Sequence, residues 1–211
     1  MHPHAETLWR GPRWTLAILL AVLGMLGPFS IDTYLPAFSG IASSLNASPV
    51  HMQQTLSAYL FGFAFMNLFH GALADSFGRR PVILWGLMAF TLASLGCALA
   101  QNVTQLIVFR AMQGLSCGAG VVVSRAIVRD IFPPTQAQKV MSQITIFFGL
   151  APAIAPIMGG WLFVSLGWHS IFWLLTAIGL ALWAVNFKML PESLHASQRQ
   201  PFSIPHLMRG Y

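Results

Sequence analysis

Long apolar runs follow one another along the chain, at about 14–36, 54–72, 81–99, 103–127, 140–164 and 170–189, with only short polar segments between them. A helix needs about 20 mostly apolar residues to cross roughly 30 Å of hydrocarbon, and each run meets that length. The pattern predicts an all-α membrane protein of six transmembrane helices, with no room for a separate soluble domain. Composition agrees, since 56% of residues are hydrophobic and only 8% charged, well outside the range of a soluble domain. The first run follows Arg10 and Arg13 but is too long for a secretory h-region, contains Asp32 and lacks a small-residue cleavage site, so it reads as an uncleaved first helix.

Charge then sets the orientation. Arg10 and Arg13, Arg79 and Arg80, Arg125, Arg129 and Lys139, and Lys188, Arg199 and Arg209 all fall in alternate connections, while the segments at 37–53, 100–102 and 165–169 hold no Lys or Arg. Short basic loops stay in the cytoplasm, so both termini are expected there and the chain is expected to be multi-pass in the cell (inner) membrane. The pI of about 10.2 reflects this topology, because the charges are dispersed over several loops, and no nucleic-acid partner is expected. No metal or other cofactor and no enzymatic activity are expected either: the histidines show no paired ligand spacing within a span, and neither a nucleophile elbow nor a phosphate loop is present. Cys97 and Cys117 fall inside the third and fourth runs, where they read as packing residues.

The connection between the second and third runs is Gly71-Ala72-Leu73-Ala74-Asp75-Ser76-Phe77-Gly78-Arg79-Arg80-Pro81. It resembles the loop between helices two and three of the major facilitator superfamily, whose pattern G-x-L-A-D-x-x-G-R-R/K is met by Gly71, Leu73, Ala74, Asp75, Gly78, Arg79 and Arg80. The resemblance implies a conformational switch at this clasp. Asp75 sits at the C-terminal end of a helix, where negative charge opposes the helix dipole, so it needs a positive partner. Arg79, Arg80 and Arg129 are the local choices, and the resemblance assigns part of the role to a helix N-terminus in a second half.

Two charges lie inside spans. Arg110 falls roughly 10 Å deep in the fourth, and Asp32 about 6 to 9 Å from the same outer surface in the first. Intramembrane charges are costly and usually face a bundle interior or a water-filled cavity, so the two are expected to form a pair or share a cavity. Leu106-x-x-x-Arg110-x-x-Gln113-Gly114 resembles the fourth-helix motif of proton-driven members of the superfamily, with Arg110, Gln113 and Gly114 on one helical face. In the fifth run, Gly149 to Gly160 resembles the antiporter motif G-x-x-x-G-P-x-x-G-G. Pro156, Gly159 and Gly160 fit it, whereas Ala151 and Ala155 replace its two leading glycines. Pro152 and Pro156 each remove a backbone donor and bend the helix. Together with Ser30-Ile31-Asp32-Thr33-Tyr34-Leu35-Pro36, this doubled Ala-Pro looks like the Bcr/CflA subfamily of drug efflux transporters.

That resemblance implies twelve helices in two halves, with the substrate cavity between them near the midplane. The expected organisation is a cytoplasmic N-terminus (1–13), a six-helix bundle forming an N-terminal half (14–189) and the start of a cytoplasmic linker (190–211). The expected function is proton-coupled efflux of small amphipathic drugs, here by a truncated half. Asp32 and Arg110 are assigned to proton coupling. The partners are the lipid bilayer, drug-like substrates, protons, and either the missing C-terminal half or a second copy of the chain. Other readings left open are a six-helix homodimeric transporter, a different facilitator-type solute transporter and a non-transporting membrane remnant.

Overall fold

The computed structural model describes Trp9 and residues 12–200. Arg10, Arg209, most of the predicted N-terminal segment and the end of the predicted linker lie outside the described residues. Among the described residues, six helical stretches are long and apolar enough to span a membrane. The first comprises α1 (Arg13–Asp32), a 3-10 turn (Leu35–Ala37) and α2 (Phe38–Ser44); the others are α3 (Pro49–Phe77), α4 (Arg79–Ala98), α5 (Val103–Ile131), α6 (Pro134–Leu166) and α7 (His169–Met189).

Local chemistry sets the helix ends. Ser48 Oγ accepts from His51 N at 3.3 Å with Pro49 opening α3, and Asn102 Oδ1 accepts from Gln105 N at 2.9 Å at the start of α5, both standard ways of satisfying the first amides. Gly78 stops α3 at φ +104° and ψ +156°, a region open essentially to glycine alone. Several helices outrun the predicted spans: α6 has 33 residues, roughly 50 Å at 1.5 Å per residue, because hydropathy falls off before helical hydrogen bonding does. The first span is also broken where a continuous helix was predicted. Pro36 has no N–H to offer the Asp32 carbonyl four residues back, so α1 ends at Asp32 and resumes after the 3-10 turn.

α5 is the hub, packed against α3, α4 and α1; α1 carries α6 on its other side, and α4 carries α7. Small residues allow the close crossings, as at Gly120, where a Cβ would stand 2.5 Å from the Leu23 carbonyl oxygen. Leu20, Leu23, Phe90, Leu106 and Phe172 fill the core, and Cys97 and Cys117 are buried free thiols in α4 and α5. α3 and α6 are the least buried spans. They turn large apolar side chains outward, including Phe61, Ile157 and Val164.

Candidate functional site

Arg110 lies at the centre of the bundle and is completely buried. Its guanidinium stands 4.5 Å from the centroid of the Tyr34 ring and 4.2 Å from that of Tyr59. Such contacts stabilise a desolvated cation by about 2 kcal/mol. Nη1 donates to Gln113 Oε1 at 2.7 Å and to the Ser30 carbonyl at 3.4 Å. The network continues through Gln113 Nε2 to Ser94 Oγ at 2.7 Å, from Ser30 Oγ to Tyr59 OH at 2.7 Å, and from Tyr59 OH to the Gly27 carbonyl at 3.0 Å. Arg110, Gln113 and Cys117 follow one stripe of α5 because three- and four-residue steps return to the same face. Cys117 Sγ lies 3.0 Å from Tyr59 OH, and next to it on the stripe Gly114 lets α3 approach, since a Cβ there would run into the Tyr59 carbonyl. Among the described residues, Arg110 Nε and Nη2 have no hydrogen-bond partner.

Of the two expected arrangements for Arg110 and Asp32, a pair or a shared cavity, the ion pair is not formed: among the described residues no salt bridge joins them. The reason is helical geometry. Ser30 and Tyr34, four residues apart, share the face of the first span that meets Arg110, whereas Asp32 is two residues, about 200° of rotation, from each. Asp32 is half-buried at the last turn of α1.

The antiporter-like segment of α6 meets the first span at its break. Ala151, Ala155 and Gly159, at four-residue spacing, are its buried line. A Cβ on Gly159 would lie 2.8 Å from the Thr33 carbonyl carbon, and one on Gly160 a comfortable 3.8 Å from Pro36 Cβ. Alanine in place of the two leading glycines therefore still permits close packing. Pro152 is exposed and Pro156 half-buried; neither offers the amide that would reach the Phe148 and Pro152 carbonyls four residues back.

At the other end of the bundle the clasp gathers most of the chain's few acids. Arg79 is buried and bridges two of them, Nη1 to Asp75 Oδ1 at 2.5 Å and Nε to Asp130 Oδ2 at 3.1 Å. Arg79 is thus the positive partner that Asp75 needs. Ser193 Oγ donates to the same Asp130 oxygen at 3.0 Å. Glu192 accepts from Arg79 N at 2.9 Å and from Arg80 N at 3.3 Å, so a carboxylate occupies the N-terminus of α4, where dipole and orphan amides favour it. Arg80 Nη2 donates to the Phe187 carbonyl at 2.7 Å, and Gln200 N to the Asp75 carbonyl at 3.1 Å. The clasp therefore ties α3, α4, α5 and α7 to the segment after α7. Gly71 is half-buried on α3, where a Cβ would find ordinary contact room, 3.8 Å from Val122 Cγ1.

Residues 10–206 match the profile of the Major Facilitator Superfamily. The chain belongs to this superfamily. Among major facilitator proteins, it is 40% identical over 194 residues to a bicyclomycin resistance protein homolog of Haemophilus influenzae, covering 92% of this chain and 49% of that protein. It is 36% identical to the multidrug resistance protein MdtL of Escherichia coli, covering 83% and 45% respectively. The crystal structure of the human organic anion transporter MFSD10 (TETRAN) has the same fold, with a TM-score of 0.70 at 22% identity, over 94% of this chain and 53% of that one. The chain spans about half the length of the curated relatives it matches. Its superfamily is one of transporters, not enzymes.

Within this major facilitator fold, sequence reasoning missed Tyr59, Ser94, Asp130 and Glu192, and it named Tyr34 within the first-span motif without its place beside Arg110. A usable signal existed for Asp130 and Glu192. The chain has only five acidic residues, and in a membrane protein so poor in carboxylates each one outside the termini marks a place where charge is needed. The aromatic neighbours of Arg110 carried no such mark.

Proposed function

We propose that this chain forms one half of a proton-coupled exporter of small amphipathic drugs, its pathway completed by a second six-helix unit in the same polypeptide or in another copy. The observation that carries the reading is the buried Arg110, held by two tyrosine rings with two donors unpartnered, next to a helix break bearing the half-buried Asp32. A buried cation with spare donors is suited to answer an anion that comes and goes. Asp32 is the proton-carrying group in this reading, and movement at the break of the first span, pressed by Gly159, alters how strongly Arg110 favours its ionised form. The resistance-protein names of the relatives support a drug substrate, and the outward apolar faces of α3 and α6 support a second unit beside them.

In the same reading residues 14–189 are the transmembrane half and the segment from 190 onward is the cytoplasmic connection. Both ends face the cytoplasm of the inner membrane in this reading, an orientation that the one-sided basic residues support. Gly71, Asp75, Gly78, Arg79 and Arg80 act as the switch, and Pro152, Pro156, Gly159 and Gly160 shape the antiporter helix. The test is drug transport in proteoliposomes holding the complete twelve-helix assembly, driven by an imposed pH gradient. Asp32→Asn should insert and fold, since removing an intramembrane charge lowers the insertion cost, yet lose the response to the gradient. Gradient-driven efflux undiminished by Asp32→Asn would move the proton site elsewhere.

A further inference from the structure

A second feature of the clasp end goes beyond the transport reading, although it shares Arg80 with the switch. Between α4 and α7 runs a groove of about 490 Å³. Its walls are two apolar rows at helical spacing: Leu84 and Met88 continue the line of Arg80 along α4, and Trp183 and Phe187 stand one turn apart on α7. From Arg80 to Met88 the track is roughly 12 Å long. Its mouth is basic. Arg80 and Arg199 both line it, together with Glu192.

The charges at the mouth are unequally satisfied. Glu192 is occupied by the backbone amides of Arg79, Arg80 and Leu194, and Arg199 Nη2 stands 3.9 Å from it. Arg80 has no carboxylate within 4.0 Å among the described residues, and its Nε is buried there without a hydrogen-bond partner. The mouth thus holds two guanidinium groups and one carboxylate whose acceptors are already engaged, with Arg199 approaching that carboxylate and Arg80 held instead by the Phe187 carbonyl through Nη2. Trp85, 75% exposed beside the groove, and Trp183 are the amphipathic rings that settle at the headgroup level of a bilayer.

We propose that this groove is a binding site for one anionic phospholipid. The phosphate sits between Arg80 and Arg199, and one acyl chain lies along Leu84, Met88, Trp183 and Phe187. Basic pockets between transmembrane helices take anionic headgroups on electrostatic grounds, and the apolar track beneath the mouth selects a lipid over a soluble anion, which would leave it empty. Because Arg199 approaches the carboxylate that caps α4, the lipid touches the clasp directly. The site is independent of the proton-coupling reading and of which membrane face the clasp occupies.

The test is native mass spectrometry of the purified full chain, offered phosphatidylglycerol or phosphatidylcholine with identical acyl chains. Phosphatidylglycerol should be retained in preference. Neutralising one arginine should weaken its binding about five-fold, and Arg80→Gln with Arg199→Gln about twenty-five-fold, from the typical contribution of a basic residue at a membrane surface. Arg129→Gln, an exposed charge on α5 near the same end, should have no effect. Inorganic phosphate at the lipid's concentration should not compete. Equal retention of both lipids, loss equally caused by Arg129→Gln, or displacement by phosphate alone would overturn the proposal. Should Arg80→Gln prevent folding, Arg199→Gln, which lies beyond the helices, reads the same five-fold effect alone.

Discussion

Gly78→Ala probes how the clasp holds its tail. The substitution places a Cβ 3.0 Å from the Glu192 carboxyl carbon and 3.0 Å from Arg199 Nη2, at a residue with φ +104°. The backbone strain alone costs about 1–3 kcal/mol, and the added methyl pushes Glu192 off the first amides of α4. Each hydrogen bond to a charged group contributes about 1.5–3 kcal/mol, but freed amides at a helix start regain water, so the net loss is about one such bond. The helices themselves keep their packing, and the damage stays local. The first amides of a helix have no intrahelical acceptor, so protection at Arg79 and Arg80 comes from Glu192. Hydrogen–deuterium exchange read at single residues in nanodiscs should therefore show those two amides exchanging about ten- to a hundred-fold faster, at 1.36 kcal/mol per factor of ten, while amides in the middle of α4 are unchanged. Glu192→Gln should reproduce much of the gain, and the double variant should fall short of additivity because both changes remove one interaction. Unchanged exchange at Arg79 and Arg80 in Gly78→Ala, or full additivity, would refute the assignment of Glu192 as the cap.

Gly159→Leu should lower the melting temperature, since overpacking against the Thr33 carbonyl costs about 1–3 kcal/mol, whereas Gly160→Ala, with its nearest neighbour 3.8 Å away, should leave it unchanged; thermal unfolding in detergent decides between them. Ser44→Cys should react with an impermeant thiol reagent added outside intact cells and Ser76→Cys should not; the opposite result would invert the topology. In the complete assembly Asp75→Asn, which unpairs Arg79 from its nearer acid, should slow transport while leaving drug affinity within a few fold, and loss of binding at an unchanged rate would contradict a switching role.

The six spans are legible because hydropathy is a property of the chain itself, and their order leaves little choice of class. Their limits are less so: α3 and α6 continue through polar flanks that hydropathy cannot separate from a loop. The break after Asp32 follows from Pro36, a local rule readable in advance. At the clasp, Asp75 and Arg79 are four residues apart on adjoining helix ends and can be paired on paper, but Asp130 and Glu192 reach Arg79 across 51 and 113 positions, distances that only the tertiary fold closes. For Arg110, depth along the helix is a sound guide to burial but says nothing of rotation about the helix axis. It is rotation that gives the guanidinium to Tyr34, Tyr59 and the Ser30 carbonyl instead of Asp32.

The two native thiols have a practical consequence. Cys97 and Cys117 are sealed between helices, 0% and 2% exposed, and are therefore silent towards water-soluble maleimides, so single reporter cysteines can be introduced directly into the natural sequence. The usual preliminary, a cysteine-free parent, is the less faithful choice here. Cys117 Sγ rests against the Tyr59 hydroxyl, one ring away from Arg110, and exchanging it would disturb the polar centre whose behaviour the reporters are meant to follow.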